Sequence, residues 1–217
     1  MSNDLISVIM SSFNSEKTIE ESIQSILNQD YKNIEFLIVD DGSTDNTLRI
    51  MKKLRDKDQR IKIIENTRNI GLTKSLNQLL RISNGRYIAR QDSDDLSFPY
   101  RLTRQINFLK KTNYDIVTSR AVIKNKEVKI PKYSHLFPNK IVMKYKNPFI
   151  HGTLFLDKNI FQEVGGYDEN FYFSQDYKLI SDMFKNNFKY KKIRTILYEL
   201  NMKDNISSNK KDEQKYY

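Results

Sequence analysis

Two kinds of hydrophobic pattern alternate along the first hundred residues. Leu5–Met10, Ile34–Val39 and Ile61–Ile64 are short, unbroken apolar runs, the pattern of strands buried on both faces. Arg86–Arg90 reads as a fourth strand. Between these runs the apolar residues recur at helical spacing. Thr18 to Glu21 has the capping-box pattern, and Ile19, Ile23, Ile26 and Leu27 follow on one face. Ser43–Asp45 can cap a helix carrying Leu48, Met51 and Leu54, and Gly71–Ile82 is helical, stopped by Asn84-Gly85. Strands alternating with helices predict a parallel sheet covered by helices on both faces.

The pattern changes after Pro99. A helix is predicted over Tyr100–Lys111, with Leu102, Ile106 and Leu109 on one side, then a strand over Tyr114–Ser119. Residues 120–150 read as short mixed pieces around Pro131, Pro138 and Pro148. Asp157–Val164 is a short helix closed by Gly165-Gly166, Asp176–Asn187 is another, and Phe188–Leu200 holds one or two short strands. The expected organisation is one domain over residues 1–202, divided into halves 1–98 and 99–202. The polar residues 203–217 are expected to be a flexible tail.

Composition narrows the chemistry. The 217 residues contain no cysteine, which excludes a disulfide scaffold, thiolate-bound zinc, an iron–sulfur centre and a cysteine nucleophile. The two histidines, His135 and His151, are too few for a poly-histidine metal site. His135 sits in a basic loop and receives no role. The start lacks the features of a signal peptide, and no stretch approaches the ~20 apolar residues of a membrane span, so a cytoplasmic protein is expected. The formal net charge is +10. Residues 1–100 carry 14 basic and 15 acidic side chains, whereas residues 101–217 carry 23 and 12. A basic second half suits peripheral contact with an anionic membrane at its inner face, or an acidic substrate. It equally suits a solvated lysine-rich surface. Without a zinc finger, RNP motif or basic-region heptad, nucleic acid is the weakest partner.

Candidate chemistry gathers where strands end, because ligands of parallel α/β sheets bind outside the carboxyl ends of the strands. The first run leads into Ser11-Ser12-Phe13-Asn14, the second into Asp40-Asp41-Gly42-Ser43 and the fourth into Gln91-Asp92-Ser93-Asp94-Asp95. Five carboxylates on one edge would repel one another unless a cation lay between them. Hard oxygen donors favour Mg2+ or Mn2+ over zinc. Asp40 and Asp45 can instead cap the helix that follows, and for Asp45 this is the preferred reading. No strand is followed by G-x-G-x-x-G and no P-loop is present, which disfavours a dinucleotide cofactor.

The segments SVIMSSFN, IEFLIVDDGSTDNT, NIGLTKSLN, GRYIARQDSDDLSFPYRL and GGYDENFYFSQDYKL together resemble the family 2 glycosyltransferases of the GT-A fold, in spacing and order from about Ile6 to Leu179. The resemblance implies an α/β fold with a Rossmann-like, mostly parallel sheet and a small acceptor-side elaboration in the second half. It implies a nucleotide-diphospho-sugar donor, with UDP favoured. Ser11 and Phe13 match positions that line the base, and Asp41 matches the carboxylate that accepts from uracil. Asn69, Gly71 and Lys74 match the loop and helix start beside the nucleotide. Asp92 and Asp94 match the D-x-D motif, Asp92 toward ribose and Asp94 toward a divalent metal bridging the phosphates, with Asp95 a spare ligand or supporting acceptor. Arg101 matches a P-x-R position and contacts either phosphate or the aspartate loop.

In the second half, Gln175-Asp176 stands where the family has a Glu-Asp pair. The resemblance makes Asp176 the general base; taken alone, Asp176 would read as a helix cap. Gln175 replaces the usual carboxylate and bears on acceptor orientation. His151, just before the apolar run Thr153–Leu156, matches a position that meets acceptor or diphosphate, and a structural histidine fits it equally. Asp168 reads as a turn residue. The expected activity is metal-dependent, inverting glycosyl transfer to a glycan or lipid-linked acceptor in surface polysaccharide, lipooligosaccharide or capsule synthesis. The rival readings are a catalytically degenerate sugar-nucleotide-binding module, a haloacid-dehalogenase-like phosphatase and a sugar-nucleotide pyrophosphorylase, which would need an N-terminal glycine-rich loop that SSFNSEKT does not supply. Against the phosphatase, Leu96 stands where that motif needs Thr or Val.

Overall fold

The computed structural model of the chain describes residues 4–126, 128–131, 142, 147, 149–171 and 174–202. The loop holding His135 and the tail 203–217 lie outside the described residues. The chain begins with three strand–helix units. These are β1 (Ile6–Ser12) with α1 (Ile19–Leu27), β2 (Ile34–Asp40) with α2 (Thr47–Arg55), and β3 (Ile61–Glu65) with α3 (Leu72–Ile82). β4 (Tyr87–Arg90), the two-residue β5 (Leu96–Ser97), α4 (Arg101–Lys111), β6 (Ile116–Ile123) and β7 (Lys129–Ile130) follow. A 3-10 turn at His151–Thr153 leads into β8 (Phe155–Asp157), α5 (Lys158–Val164), α6 (Gln175–Lys185) and β9 (Tyr190–Leu200).

The nine strands of the described residues join one mixed sheet in the order β3-β2-β1-β4-β8-β6-β9-β5, with β7 on β6. β3, β2, β1 and β4 pair in parallel. Antiparallel pairs enter with β8, β7 and β5, while β9 runs parallel to β6. The chain leaves β1 toward β2 and β3, then returns to β4 on the other side of β1. The strand order therefore reverses above β1 and β4, which is where such sheets hold ligands.

Period-two alternation splits the strands between two cores. Ile6, Val8 and Met10 of β1 pack with Phe36 and Ile38 against α1, α2 and α4, whereas Ile9, Leu37 and Val39 pack against α3, α5 and α6. Every residue of β2 is buried, as a run apolar on both faces requires. Each buried Leu or Ile contributes roughly 1.5–3 kcal/mol, so these two layers fix the register that brings the strand ends level. Among the described residues no helix is long and apolar enough to cross a membrane.

Several local expectations change. The capping box of α1 does not form: the Thr18 hydroxyl bonds the Ser15 carbonyl at 3.4 Å, and Glu21 pairs with Lys124 in the turn after β6. Asp45 does stabilise the start of α2, its Oδ1 accepting from the Thr47 N–H at 2.9 Å. The strand expected over 114–119 starts at Ile116 and runs on to Ile123, and the last segment is a single strand of 11 residues. Asp168 is a turn residue, as expected, with Oδ1 accepting from the Asn170 N–H at 3.0 Å.

Candidate active site

Three strand-end loops meet at the reversal point. Ser11 and Ser12 close β1; Ser11 is half-buried, and Phe13 beyond it is 44% exposed, a bare aromatic ring at the cleft rim. Ser15 of this loop and Ser93 of the aspartate loop share a hydrogen bond between hydroxyls, 3.0 Å apart. Asp40 and Asp41 at the end of β2 are both buried. Asp40 Oδ2 accepts from the Ser43 N–H at 3.1 Å, while its Oδ1 and the neighbouring Ser12 Oγ have no hydrogen-bond partner among the described residues. Asp41 orders the loop before α3. Its Oδ1 accepts from Asn66 Nδ2 at 2.8 Å and the Ile70 N–H at 3.0 Å, and its Oδ2 from the Gly71 N–H at 2.9 Å. Oδ1 is therefore filled, and one acceptor direction remains on Oδ2. Asn69 in that loop is exposed, with its side-chain oxygen on the Gly71 N–H, and Lys74 is exposed in the first turn of α3. Gly42 packs beneath this loop at φ +74°, where a Cβ would lie 2.5 Å from the Arg68 carbonyl carbon.

The aspartate loop follows β4. Arg90, the last residue of that strand, is 1% exposed and donates to Asp92 Oδ1 at 2.6 Å. The Asp92 N–H donates to the Tyr198 hydroxyl at 3.1 Å. Half-buried Asp94 is raised to about 6 by burial and then by the charge of Asp92. Asp95 is buried and is pushed up further, by burial and by both neighbouring aspartates. It turns toward β9, accepting from the Asn201 N–H at 2.7 Å and from the Tyr198 hydroxyl. Arg101 lies wholly buried behind the loop and does not reach the cleft surface. Its guanidinium bonds Gln105 at 3.0 Å, Gln91 at 2.9 Å, Ser97 at 2.7 Å and the Arg90 carbonyl at 2.5 Å, over the ring of Tyr198. It acts as a brace for the loop, through neutral acceptors and not through an ion pair with a carboxylate.

From the second half, His151 Nε2 lies 2.7 Å from the Tyr167 hydroxyl. Burial, then Arg90, holds His151 well below its ordinary value, so it is neutral at pH 7. His151 and Tyr167 both feel the charges of Asp92 and Asp176, which places this pair between the aspartate loop and α6. Asp176, second residue of α6, accepts from Asn147 Nδ2 at 2.6 Å on Oδ2 and from the Tyr177 N–H at 2.8 Å on Oδ1. Gln175 beside it is half-buried. Asn77 of α3 holds the turn before α6, its amide bonding the Tyr167 main chain at both oxygen and nitrogen and Glu169 at 2.9 Å. On the far side of Tyr167 a cavity of about 750 Å³ runs between α3, α5 and α6, and none of the strand-end carboxylates lines it.

The sequence pointed to the acidic residues and missed their partners. Arg90 carried a signal, since a charged residue ending a buried strand needs a compensating group. Tyr198 and Asn147 carried none, being 106 and 29 residues from the groups they bond. Asp92 and Asp94 are hard oxygen donors in a crowded, partly buried loop beside the Arg90 guanidinium, a set that fits Mg2+ or Mn2+. Among the described residues no cluster of three or more ligating side chains is assembled. Magnesium-type sites that take one or two carboxylates and complete their shell with substrate phosphates and water need no more.

Known proteins agree with this geometry. EpsE of Bacillus subtilis is 44% identical over 165 residues, covering 75% of this chain and 59% of that protein. WfgD of Escherichia coli, described as a UDP-Glc:alpha-D-GlcNAc-diphosphoundecaprenol beta-1,3-glucosyltransferase, is 38% identical over 130 residues, covering 57% and 51%. The chain thus spans about three-fifths or less of the length of these two relatives. The crystal structure of Staphylococcus aureus TarS 1–349 in complex with UDP-GlcNAc superposes with a TM-score of 0.80 at 22% identity, over 94% of this chain and 60% of that one. The sequence profile described as Glycosyl transferase family 2 matches residues 7–202. With that match spanning nearly the whole chain, and with the sheet of a GT-A enzyme, the protein belongs to the family 2 glycosyltransferases.

Proposed function

We propose that the chain transfers a sugar, with inversion, from a UDP-sugar to a hydroxyl of a glycan or lipid-linked acceptor in surface polysaccharide synthesis. The observation that carries this reading is the crowding of Asp92, Asp94 and Asp95 in one loop beside the Arg90 guanidinium, with Asp94 and Asp95 raised by burial and by their acidic neighbours. Such a loop is costly alone and becomes favourable once a divalent cation and a diphosphate share it. Asp92 and Asp94 would hold that cation, which neutralises charge on the leaving diphosphate. The UDP preference draws support from Asp41, whose Oδ2 keeps one acceptor direction, and from the exposed ring of Phe13. WfgD by its description uses UDP-Glc on a diphosphoundecaprenol-linked acceptor, and the TarS complex contains UDP-GlcNAc. Ser11, Asn69 and Lys74 complete the nucleotide side.

Asp176 removes the proton from the acceptor hydroxyl as that oxygen attacks the anomeric carbon, a contribution of roughly 10²–10⁴-fold. Holding acceptor and donor in line accounts for much of the remainder. Neutral His151, hydrogen-bonded to Tyr167, offers a polar surface between donor and base without competing for the proton. Arg101 supports the loop and Gln175 the acceptor side.

A thermal-shift screen of UDP-glucose, UDP-GlcNAc and GDP-mannose, each with and without MnCl2, tests the reading. A preferred donor raises Tm in a concentration-dependent way, and only with the metal. Asp94→Asn removes that increment, whereas Asp176→Asn keeps it and abolishes transfer. Indifference to every sugar nucleotide with Mn2+ present would overturn the proposal. Gln175 in place of a carboxylate favours one other reading, a binding module without turnover; release of UDP by the wild type excludes it.

A further inference from the structure

The Asn147 side chain is fixed at both ends. Its Nδ2 donates to Asp176 Oδ2 at 2.6 Å, and its Oδ1 accepts from the Phe149 N–H at 3.0 Å. The second bond decides which way the amide faces: oxygen to the main chain, NH2 to the carboxylate. Phe149 is itself buried, its ring centroid 3.8 Å from that of Tyr190 and 6.1 Å from that of Phe184, so the N–H that orients the amide is anchored in the core. The other oxygen of Asp176 is held by the Tyr177 N–H. Of about four acceptor directions on a carboxylate, the described residues take two, one on each oxygen, and leave one on each.

We infer that Asn147 is the positioning residue for the proposed base: it locks the Asp176 carboxylate in rotation and leaves a free lone pair on each oxygen for the acceptor hydroxyl. The inference rests on the reading of Asp176 as the base. A carboxylate released from this grip turns about its Cβ–Cγ bond, and misplacement of a reacting group by ~1 Å can cost about 10²-fold. Asn147 lies in a part of the chain from which no site residue was expected and touches Asp176 across 29 residues of sequence.

The test uses protein labelled with 13C at its aspartate carboxyls, the Asp176 signal being assigned by its loss in Asp176→Asn. The groups that sense Asp176 from packed elements are Tyr167 and His151, and its own helix carries Lys178 and Asp182. His151 and Tyr167 are both neutral at pH 7, so a change on altering Asn147 reports the amide. Asn147→Ala moves the Asp176 carboxyl 13C resonance at pH 7, because a donor to that carboxylate is lost. Asn147→Asp moves it as well, the donating NH2 being replaced by a carboxylate that cannot donate when ionised. With UDP-glucose or UDP-GlcNAc and MnCl2, Asn147→Ala slows UDP release about 10-fold or more while the donor KM holds. An Asp176 carboxyl resonance unchanged in both variants overturns the inference, and this readout needs no substrate. Turnover retained in Asp176→Asn would sink the base itself. An inactive Asp176→Asn beside a normal Asn147→Ala would sink only the role of Asn147.

Discussion

Single atoms decide the shape of the aspartate loop. Asp92 is boxed in by the Arg90 guanidinium on Oδ1 and by Gly152 near Oδ2, with the Tyr198 hydroxyl on its main chain. A Cβ on Gly152 would stand 2.3 Å from the Tyr198 hydroxyl and 2.5 Å from Asp92 Oδ2, so glycine is required there by close approach and not by backbone conformation. Gly152→Ala is expected to push the Asp92 carboxylate and Tyr198 aside. Mn2+-dependent stabilisation by the donor then falls at least 10-fold in apparent affinity, while the melting temperature without ligand drops only a few degrees. Titration calorimetry with UDP and MnCl2 checks the first and a thermal melt the second. The acidic motif was legible because acidic residues ending apolar runs are a local pattern. Its confinement by Gly152, which is 60 positions downstream of Asp92, was not.

At the scale of elements, α3 joins the two halves of the site. Its start is held by Asp41 through Gly71, and its next two turns hold the acceptor-side turn through Thr73, bonded to the Phe171 carbonyl at 3.1 Å, and Asn77. The opposite end of the sheet is fastened by Glu35. Burial pushes its carboxyl up, but bonds from Ser7, Lys62 and Asn84 outweigh burial and bring it down from 4.5 to about 2. A carboxylate depressed in the folded state stabilises fully above its unfolded value and loses that contribution as pH falls through the folded one. Stability is therefore expected to decline between about pH 5 and pH 2, with Glu35 supplying roughly 3 kcal/mol of the change. Urea melts of wild type and Glu35→Gln check this: the variant is weaker at pH 7 and its pH dependence is shallower. Helical periods and breakers were readable for α1 to α4 to within a few residues. The capping box of α1 was not, because Glu21 finds a lysine in the turn after β6, 103 residues away.

At the scale of the molecule, the excess positive charge belongs to residues 101–217, the half that carries Asp176, His151 and β9. An acceptor displayed on an anionic leaflet would be met by that half first. Peripheral binding is expected to vesicles containing phosphatidylglycerol, weakening steeply as salt is raised. Sedimentation with such vesicles at low and high NaCl measures it, and binding indifferent to salt would count against the charge as its cause. The chain spans about three-fifths or less of the length of its relatives EpsE and WfgD.

The sequence alone determined that the first four strands form a parallel sheet under helices and that acidic residues gather at its strand ends, whereas the order β3-β2-β1-β4 came from the structure. Both follow from short-range rules: apolar runs bury on two faces, and the residue after a strand lies at the sheet edge. Only the tertiary structure decided that Arg90 compensates Asp92, that Arg101 braces the loop from behind, that Asp41 orders the loop before α3 and that Asn147 grips Asp176. Each of these depends on the side-chain directions and register of packed elements, and a hydrogen bond reports an approach of about 3 Å that no spacing along the chain encodes.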